Sequence, residues 1–249
     1  MKVRADQLLV ARGLAPSRAR AQALVLAGKV YVGESRVDKA GAMLAEDADL
    51  RVKGEDHPYV SRGGVKLAGA LDAFGVDPRG KRCLDLGAST GGFSDCLLQR
   101  GAASVAAVDV GYGQLAHKLR VDPRVLVLER TNARTLEAAQ IGGAAELVVV
   151  DASFIGLGKL ADAVVRCLAP GGELVALVKP QCEVGREEAA RGKGVVRDPE
   201  VRARAIEGAL AELRGAGLEV LGTCDSPIEG PKGNLEAFVH ARKGVDTGT

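Results

Sequence analysis

Six short apolar runs organise the last two thirds of the chain: Arg82–Leu86, Ser104–Val108, Val125–Leu128, Leu147–Val150, Leu174–Val178 and Leu218–Leu221. Helical patterns lie between several of them. This alternation specifies an α/β fold with a mostly parallel sheet covered by helices on both faces. The first run is followed by Gly87-Ala-Ser-Thr-Gly-Gly92 and a helix from about Phe93 to Gln99. A glycine-rich turn between strand and helix leaves backbone N–H groups where no side chain blocks a ligand. Asp109 ends the second run, about 20 residues beyond the turn, where an acidic side chain can accept both hydroxyls of a ribose.

The turn discriminates between ligands. It contains no Gly-x-x-x-x-Gly-Lys-Ser/Thr phosphate cradle and lacks the Gly-x-Gly-x-x-Gly spacing of a dinucleotide binder. Asp85-Leu-Gly-Ala-Ser-Thr-Gly-Gly92 together with Asp109 resembles the S-adenosylmethionine loop of Rossmann-like methyltransferases. The resemblance implies that Asp85, Gly87, Ala88, Ser89, Thr90, Gly91, Gly92 and Phe93 surround the methionine moiety. It also implies Asp109 at the ribose, Asn132 and Ala133 at the adenine, Val110 as a further cofactor contact, and Asp151 beside the sulfonium methyl.

Charge divides the chain. The first 36 residues carry seven basic and two acidic side chains, a net of +5, although the whole chain is only +2. A basic head on a slightly acidic body fits a module that binds a polyanion, and fits equally a solvated basic helix face. Leu8, Leu9 and Ala11 give a short helical face ended by Gly13. Ser17 is the expected N-cap of a second helix with Ala19, Ala23, Leu24 and Ala27 as its packing stripe, and Lys29–Val32 alternates like a strand. The spaced pattern from Val3 through Asp6, Leu9, Gly13, Ser17-Arg18 and Ala21 to Gly28-Lys-Val-x-Val32 resembles the S4-like RNA-binding domain. One departure is visible, since Val32 runs directly into Gly33 where that family often has Asn. The resemblance implies contact with structured RNA through phosphates and shape, with Arg4, Arg18, Arg20, Lys29 and Arg62 as candidate contacts. With three Tyr, four Phe and no Trp, little is left for a platform that stacks bases.

The acidic stretch Glu46–Asp56 and the helix-disfavouring His57-Pro58 place a domain boundary here. The expected division is 1–56, a linker at 57–61, and 62–249. Ser61 is positioned to cap a helix burying Leu67, Leu71 and Phe74; Lys66 lies off the centre of that stripe and, on periodicity alone, reads as solvent-exposed. Five scattered cysteines without Cys-x-x-Cys spacing, and three His, argue against a disulfide framework or a metal site and for a reducing, cytoplasmic setting. No apolar run approaches the ~20 residues of a bilayer span, and no signal peptide is expected.

Over nearly its whole length the chain resembles the TlyA family, an S4-like domain fused to an FtsJ-like ribose 2′-O-methyltransferase. The motifs are Val60-Ser-Arg-Gly-Gly-x-Lys66-Leu, Asp85 to Asp95, Val150-Asp-x-Ser-Phe154, Leu177-Val-Lys-Pro-Gln181, Gly194-Val-Val-Arg-Asp198, Ser226-Pro-Ile-x-Gly230 and Gly233-Asn-Leu-Glu236. The resemblance implies a catalytic tetrad of Lys66, Asp151, Lys179 and Glu236, with Lys179 orienting or deprotonating the 2′-hydroxyl. It implies ribosomal RNA as partner, a cytidine as target, and no metal or membrane. The shortness of the chain favours the large-subunit RNA, with the small-subunit RNA as a further target. Three other readings stay open. Cys182, where the family commonly has Phe, could serve an RNA cytosine C5-methyltransferase; the chain could be a non-catalytic assembly factor; or it could be the membrane-active haemolysin that this family is sometimes labelled.

Overall fold

A computed structural model describes residues 2–33, 35–53, 57–153, 155–184, 194–230 and 233–245. Asp56, the last residue of the expected first domain, and Phe154 of the Asp-x-Ser-Phe motif lie outside the described residues. The chain separates into two compact units, Met1–His57 and Pro58–Thr249.

The first unit is α+β. Strand β1 (Lys2–Arg4) leads into α1 (Ala5–Ala11) and α2 (Arg18–Leu26), followed by β2 (Val30–Val32), β3 (Ser35–Arg36), β4 (Met43–Ala45) and β5 (Leu50–Val52). Strand β1 pairs with β4, and β3-β2-β5 form a second small antiparallel sheet. Ser17 caps α2 as expected, its side chain accepting the Arg20 N–H. The expected stripe of α2 is corrected: Ala21, Leu24 and Val25 are buried, while Ala19, Ala23 and Ala27 face solvent. Three small alanines cannot outweigh one face that carries both Leu24 and Val25, so the helix turns that face to Leu8, Leu9 and Val30.

Asp6 is the polar centre of this unit and is fully buried. Arg4 Nε donates to Asp6 Oδ1 at 3.0 Å; Arg18 Nη2 and Gln22 Nε2 donate to Oδ2 at 3.1 and 3.0 Å. The hydrogen bond from Arg4 in particular holds the Asp6 carboxyl well below the usual carboxylate range, against its burial.

The second unit opens with α3 (Arg62–Phe74). It continues through β6 (Arg82–Leu86), α4 (Gly92–Gln99), β7 (Ser104–Val108), α5 (His117–Arg120), β8 (Val125–Leu128) and β9 (Ala145–Val150). Then come α6 (Ala161–Cys167), β10 (Leu168–Val178), α7 (Pro180–Glu183), α8 (Pro199–Gly215), β11 (Leu218–Asp225) and β12 (Ala237–Lys243). The sheet runs β11-β12-β10-β9-β6-β7-β8. Strands β6 to β10 pair in parallel, whereas β12 is antiparallel to both β10 and β11. One face is packed by α6 and α8, with Val164 and Leu213 against Leu84, Val148 and Leu174; the other is packed by α3 and α4, with Leu67, Leu71 and Leu97 against Leu147 and Val175. All six sequence runs are strands. The seventh, β12, carries His240, Arg242 and Lys243, and it is buried only through its first five residues. Strand order reverses between β6 and β9, which opens a crevice beyond their carboxyl ends.

The depressed Asp6 carboxyl predicts an acid-labile head. Its contribution to stability is present above the ordinary carboxylate pKa and is lost as pH falls through the native one. Asp6→Asn is expected to lower the thermal midpoint of the first unit at pH 7, and the gap from wild type to narrow below about pH 4; thermal melts across pH measure it.

Candidate active site

The crevice is built from the ends of β6, β7, β9 and β10. After β6 the chain turns at Gly87, whose φ is +87°; a Cβ there would lie 2.6 Å from the Asp151 carbonyl oxygen. Gly87 and Ala88 N–H both donate to Val108 O, which fastens the loop to the end of β7. Asp109 closes it from the other side: Ser89 N–H donates to Oδ2 at 2.8 Å and Gly111 N–H to Oδ1 at 2.7 Å. Below the loop, Asp85 is fully buried. Its Oδ2 accepts from Ser94 N–H and Ser94 Oγ–H at 2.9 and 2.6 Å, while Oδ1 has no hydrogen-bond partner. Burial pushes the Asp85 carboxyl up to about 7; the Ser94 hydroxyl opposes this, and the nearby Asp151 and Asp109 charges add to it.

The cavity has two lobes that share Gly87, Ser89, Asp151 and Ser153. The smaller, about 330 Å³, is lined by Asp109, Val110, Gln114, Asn132 and Ala133. The larger, about 520 Å³, is lined by Arg62, Lys66, Ala88, Thr90, Phe93, Lys179 and Gly230. Of the residues expected around a cofactor, Asp85 and Gly91 line neither lobe: Asp85 lies under the loop, and a Cβ on Gly91 would point at Leu119 and Leu115.

Two lysine–carboxylate contacts bound the larger lobe. Lys179, at the end of β10, places Nζ 2.5 Å from Asp151 Oδ1 and donates to Ser153 Oγ at 2.8 Å. Lys66 Nζ donates to Glu236 Oε2 at 2.5 Å. Periodicity gave Lys66 an exposed position, but it is only 7% exposed and Glu236 1%. Local sequence misleads here because the partner arrives from 170 residues away, and a buried ammonium is tolerated only with its counter-charge. Gly230 makes room for that partner: a Cβ would lie 2.2 Å from Glu236 Oε1. Asn234, buried two residues before Glu236, accepts Val196 N–H through Oδ1 and donates to Gly194 O, fixing the approach to β12. The Gly194 and Gly233-Asn234 motifs thus meet in space.

Arg62 is exposed at the rim of the larger lobe and donates to Glu229 O at 3.2 Å. The other candidate RNA contacts belong to the first unit. Arg4 and Arg18 spend part of their charge on Asp6; Arg20 is exposed on α2, and Lys29 is half-buried before β2. Cys182 sits on α7 and lines neither lobe. Ser153 and Gln114, which accepts from Ser89 Oγ at 3.2 Å, were not singled out by the sequence. Ser153 does stand inside the Asp-x-Ser motif, whereas nothing in the sequence marks Gln114.

The fold and its cavity have known counterparts. The FtsJ-like methyltransferase family matches residues 59–243, and the S4 domain matches residues 3–50. A Mycobacterium tuberculosis protein named 16S/23S rRNA (cytidine-2′-O)-methyltransferase TlyA is 49% identical over 98% of this chain and 91% of its own length. This chain belongs to the TlyA family. Within it, the Brachyspira hyodysenteriae protein named Hemolysin A is 37% identical over 96% of this chain and 99% of its own. A solved Streptococcus thermophilus structure superposes with a TM-score of 0.76 at 40% identity, covering 99% of this chain and 91% of that one. An S-adenosylmethionine-dependent methyltransferase from Mesorhizobium loti shares the fold at 18% identity, with a TM-score of 0.53 over 70% of this chain and 96% of that one. Five of the seven motifs supply residues that line the lobes, while those at 194–198 and 233–236 do not; no helix among the described residues is long and apolar enough to cross a membrane.

The raised Asp85 carboxyl gives a pH signature. Its native pKa lies above the unfolded one, so ligand-free stability falls as pH rises from about 4 and levels near 7. Asp85→Asn keeps an acceptor for Ser94 and is expected to flatten that decline in thermal melts of the ligand-free protein.

Proposed function

We propose that the protein is an S-adenosylmethionine-dependent methyltransferase of ribosomal RNA that modifies the ribose 2′-hydroxyl of a cytidine. The large-subunit RNA is the favoured target and the small-subunit RNA a second one, with the cytoplasm as the setting. The observation that carries the reading is Lys179, held by Asp151 and Ser153 on the wall between the two lobes. An alcohol is a weak nucleophile and needs a base at its proton and a fixed line of attack.

The residues present fit the methyl donor. Asp109 and the backbone of 87–93 form an open cradle, and the two carboxylates that line the cavity, Asp109 and Asp151, suit a ligand bearing positive charge. The donor would lie along the Gly87–Phe93 loop, with Asp109 at its ribose and Val110, Asn132 and Ala133 around its base. It would supply a methyl group on a sulfonium, which departs as a neutral thioether. Lys179 takes the proton of the 2′-hydroxyl, Asp151 holds Lys179 at the wall, and the Lys66–Glu236 pair adds a fixed dipole across the larger lobe. Arg62 at the rim and the basic first unit take RNA phosphates. The assembly-factor alternative leaves the cavity and both lysine pairs without purpose. The C5 alternative needs a thiol in the cavity, and the haemolysin alternative has only a relative's name behind it.

Lys179→Ala is expected to lower methyl transfer at least about 100-fold, with S-adenosylmethionine affinity nearly unchanged. Methyl transfer from labelled donor, with calorimetry for binding, measures both; a retained rate would refute the assignment. Mapping of 2′-O-methyls on both ribosomal RNAs, with and without the gene, decides the target. Arg20→Glu with Lys29→Glu, which spares the Asp6 cluster, is expected to weaken RNA binding and flatten its log–log salt dependence by about 1 per lost phosphate contact. Cofactor affinity should not move.

A further inference from the structure

Lys179 touches two oxygens, and they hold it in different ways. The contact with Asp151 Oδ1 at 2.5 Å is an ion pair outside hydrogen-bond geometry, and that oxygen has no hydrogen-bond partner among the described residues. The contact with Ser153 Oγ at 2.8 Å is a directed hydrogen bond with Lys179 as donor. A charge–charge attraction depends on distance, whereas a hydrogen bond falls off steeply with angle. Asp151 therefore fixes where Nζ sits, and leaves the rotation of the amine about the Cε–Nζ bond unset.

We propose that Ser153 is a positioning residue for the methyl transfer: its hydroxyl sets the rotation of the Lys179 amine so that the lone pair points into the larger lobe. This rests on the 2′-hydroxyl reading of the site. Once the ion-paired ammonium has released one proton to solvent, the neutral amine has two N–H bonds and one lone pair that, with the bond to Cε, are arranged tetrahedrally around Nζ. With one N–H committed to Ser153 and Asp151 drawing the second, the remaining direction is the lone pair. In the step itself the ribose O–H proton would pass to that lone pair, and the oxygen would bond to the methyl carbon as the donor's carbon–sulfur bond breaks with its electron pair going to sulfur, leaving Lys179 as an ammonium.

Three further observations support the role. Ser153 borders both lobes, so its hydroxyl lies where donor and acceptor meet. Asp151 and Ser153 leave β9 on one short segment, so a single displacement would move both partners of Lys179. That segment is anchored downstream: Glu183 Oε1, on the helix that follows Lys179, accepts Leu157 N–H at 2.9 Å. The two chain segments are thus tied together at the lysine and again at Glu183.

The test compares Ser153→Ala and Ser153→Thr in the full-length protein. Single-turnover transfer from labelled S-adenosylmethionine to ribosomal RNA is expected to fall about tenfold or more in Ser153→Ala, equivalent to about 1.4 kcal/mol of barrier. Affinities for S-adenosylmethionine and RNA should stay within about twofold, and Ser153→Thr should restore most of the rate. An independent readout uses ¹⁵Nζ-lysine NMR of the ligand-free protein, with the Lys179 signal assigned by its loss in Lys179→Ala. Faster exchange of the Lys179 Nζ protons in Ser153→Ala, reversed in Ser153→Thr, supports the hydrogen bond. An unchanged rate in Ser153→Ala, an equal loss in Ser153→Thr, or a loss explained by cofactor affinity would overturn the proposal. If the wild-type protein transfers no methyl to RNA, the functional reading fails, while the exchange data still decide the Ser153–Lys179 bond.

Discussion

The buried pairing of Lys66 with Glu236 is the constraint on which the larger lobe depends. Neither charge could occupy its position alone, because removing an isolated ion from water costs several kcal/mol even after relaxation. The pair joins α3, which opens the second unit, to the start of β12, which nearly closes it. It therefore requires β12 to enter the sheet between β10 and β11, and it requires Gly230 to leave space for the carboxylate. The antiparallel insertion looks like an irregularity in an otherwise parallel sheet. Its consequence is that the chain just before β12 reaches the same edge of the sheet as the ends of β6, β9 and β10, where the other functional groups gather.

Much of the frame could be read from residue order alone, because a parallel sheet buried on both faces advertises its strands as apolar runs. Six strands carry that signature. Strand β12 does not: His240, Arg242 and Lys243 dilute it, and its neighbours are settled by pairing partners far away in sequence. The same distinction explains the errors on helices. In α2 the alanines are too small to decide a face, so the contacts of Leu24 and Val25 with the rest of the head decide it. In α3 a periodicity argument sees Lys66 next to a hydrophobic stripe and has no means of seeing Glu236. Motif resemblance did place Lys66, Asp151, Lys179 and Glu236 together, since linear motifs preserve what folding brings into contact even where helix and strand periods are silent. What neither approach supplied is the manner of contact: that Lys179 is bonded to Ser153, that Asn234 bridges to the 194–196 segment, and that Arg4 and Arg18 are partly engaged by Asp6.

The engagement of Arg4 and Arg18 changes how the charge of the head should be understood. A net +5 over 36 residues suggests a free basic surface, yet two of its seven cations also neutralise a fully buried carboxylate. They remain about half exposed, so each can face RNA with part of its guanidinium while the rest holds α1 to α2. A contact of this kind arrives already oriented, and little side-chain entropy is lost when a phosphate is met. The cost is that charge and fold become inseparable at those two positions.

Within the catalytic unit the charges are sorted by lobe. Asp85, Asp109 and Asp151 stand at the ends of three adjacent parallel strands, close enough that the latter two help to raise the Asp85 carboxyl. Under the proposed function the charges of Asp109 and Asp151, which line the cavity, meet a cationic donor, and they fade in importance once the methyl has left and the sulfur is neutral. Lys66, Lys179 and Arg62 line only the larger lobe, which under the proposed function is where the polyanion enters. Under the same proposal, transfer of the methyl would weaken the hold on the spent donor without disturbing contacts to RNA phosphates. Asp151 lies on the wall common to both lobes and belongs to both fields, which is why a single carboxylate can face the donor and still retain the lysine that acts on the acceptor. The ion pair at Asp151 Oδ1 and the directed bond from Lys179 to Ser153 are two aspects of that shared position: the carboxylate acts through its charge, and the hydroxyl supplies the direction that a charge cannot.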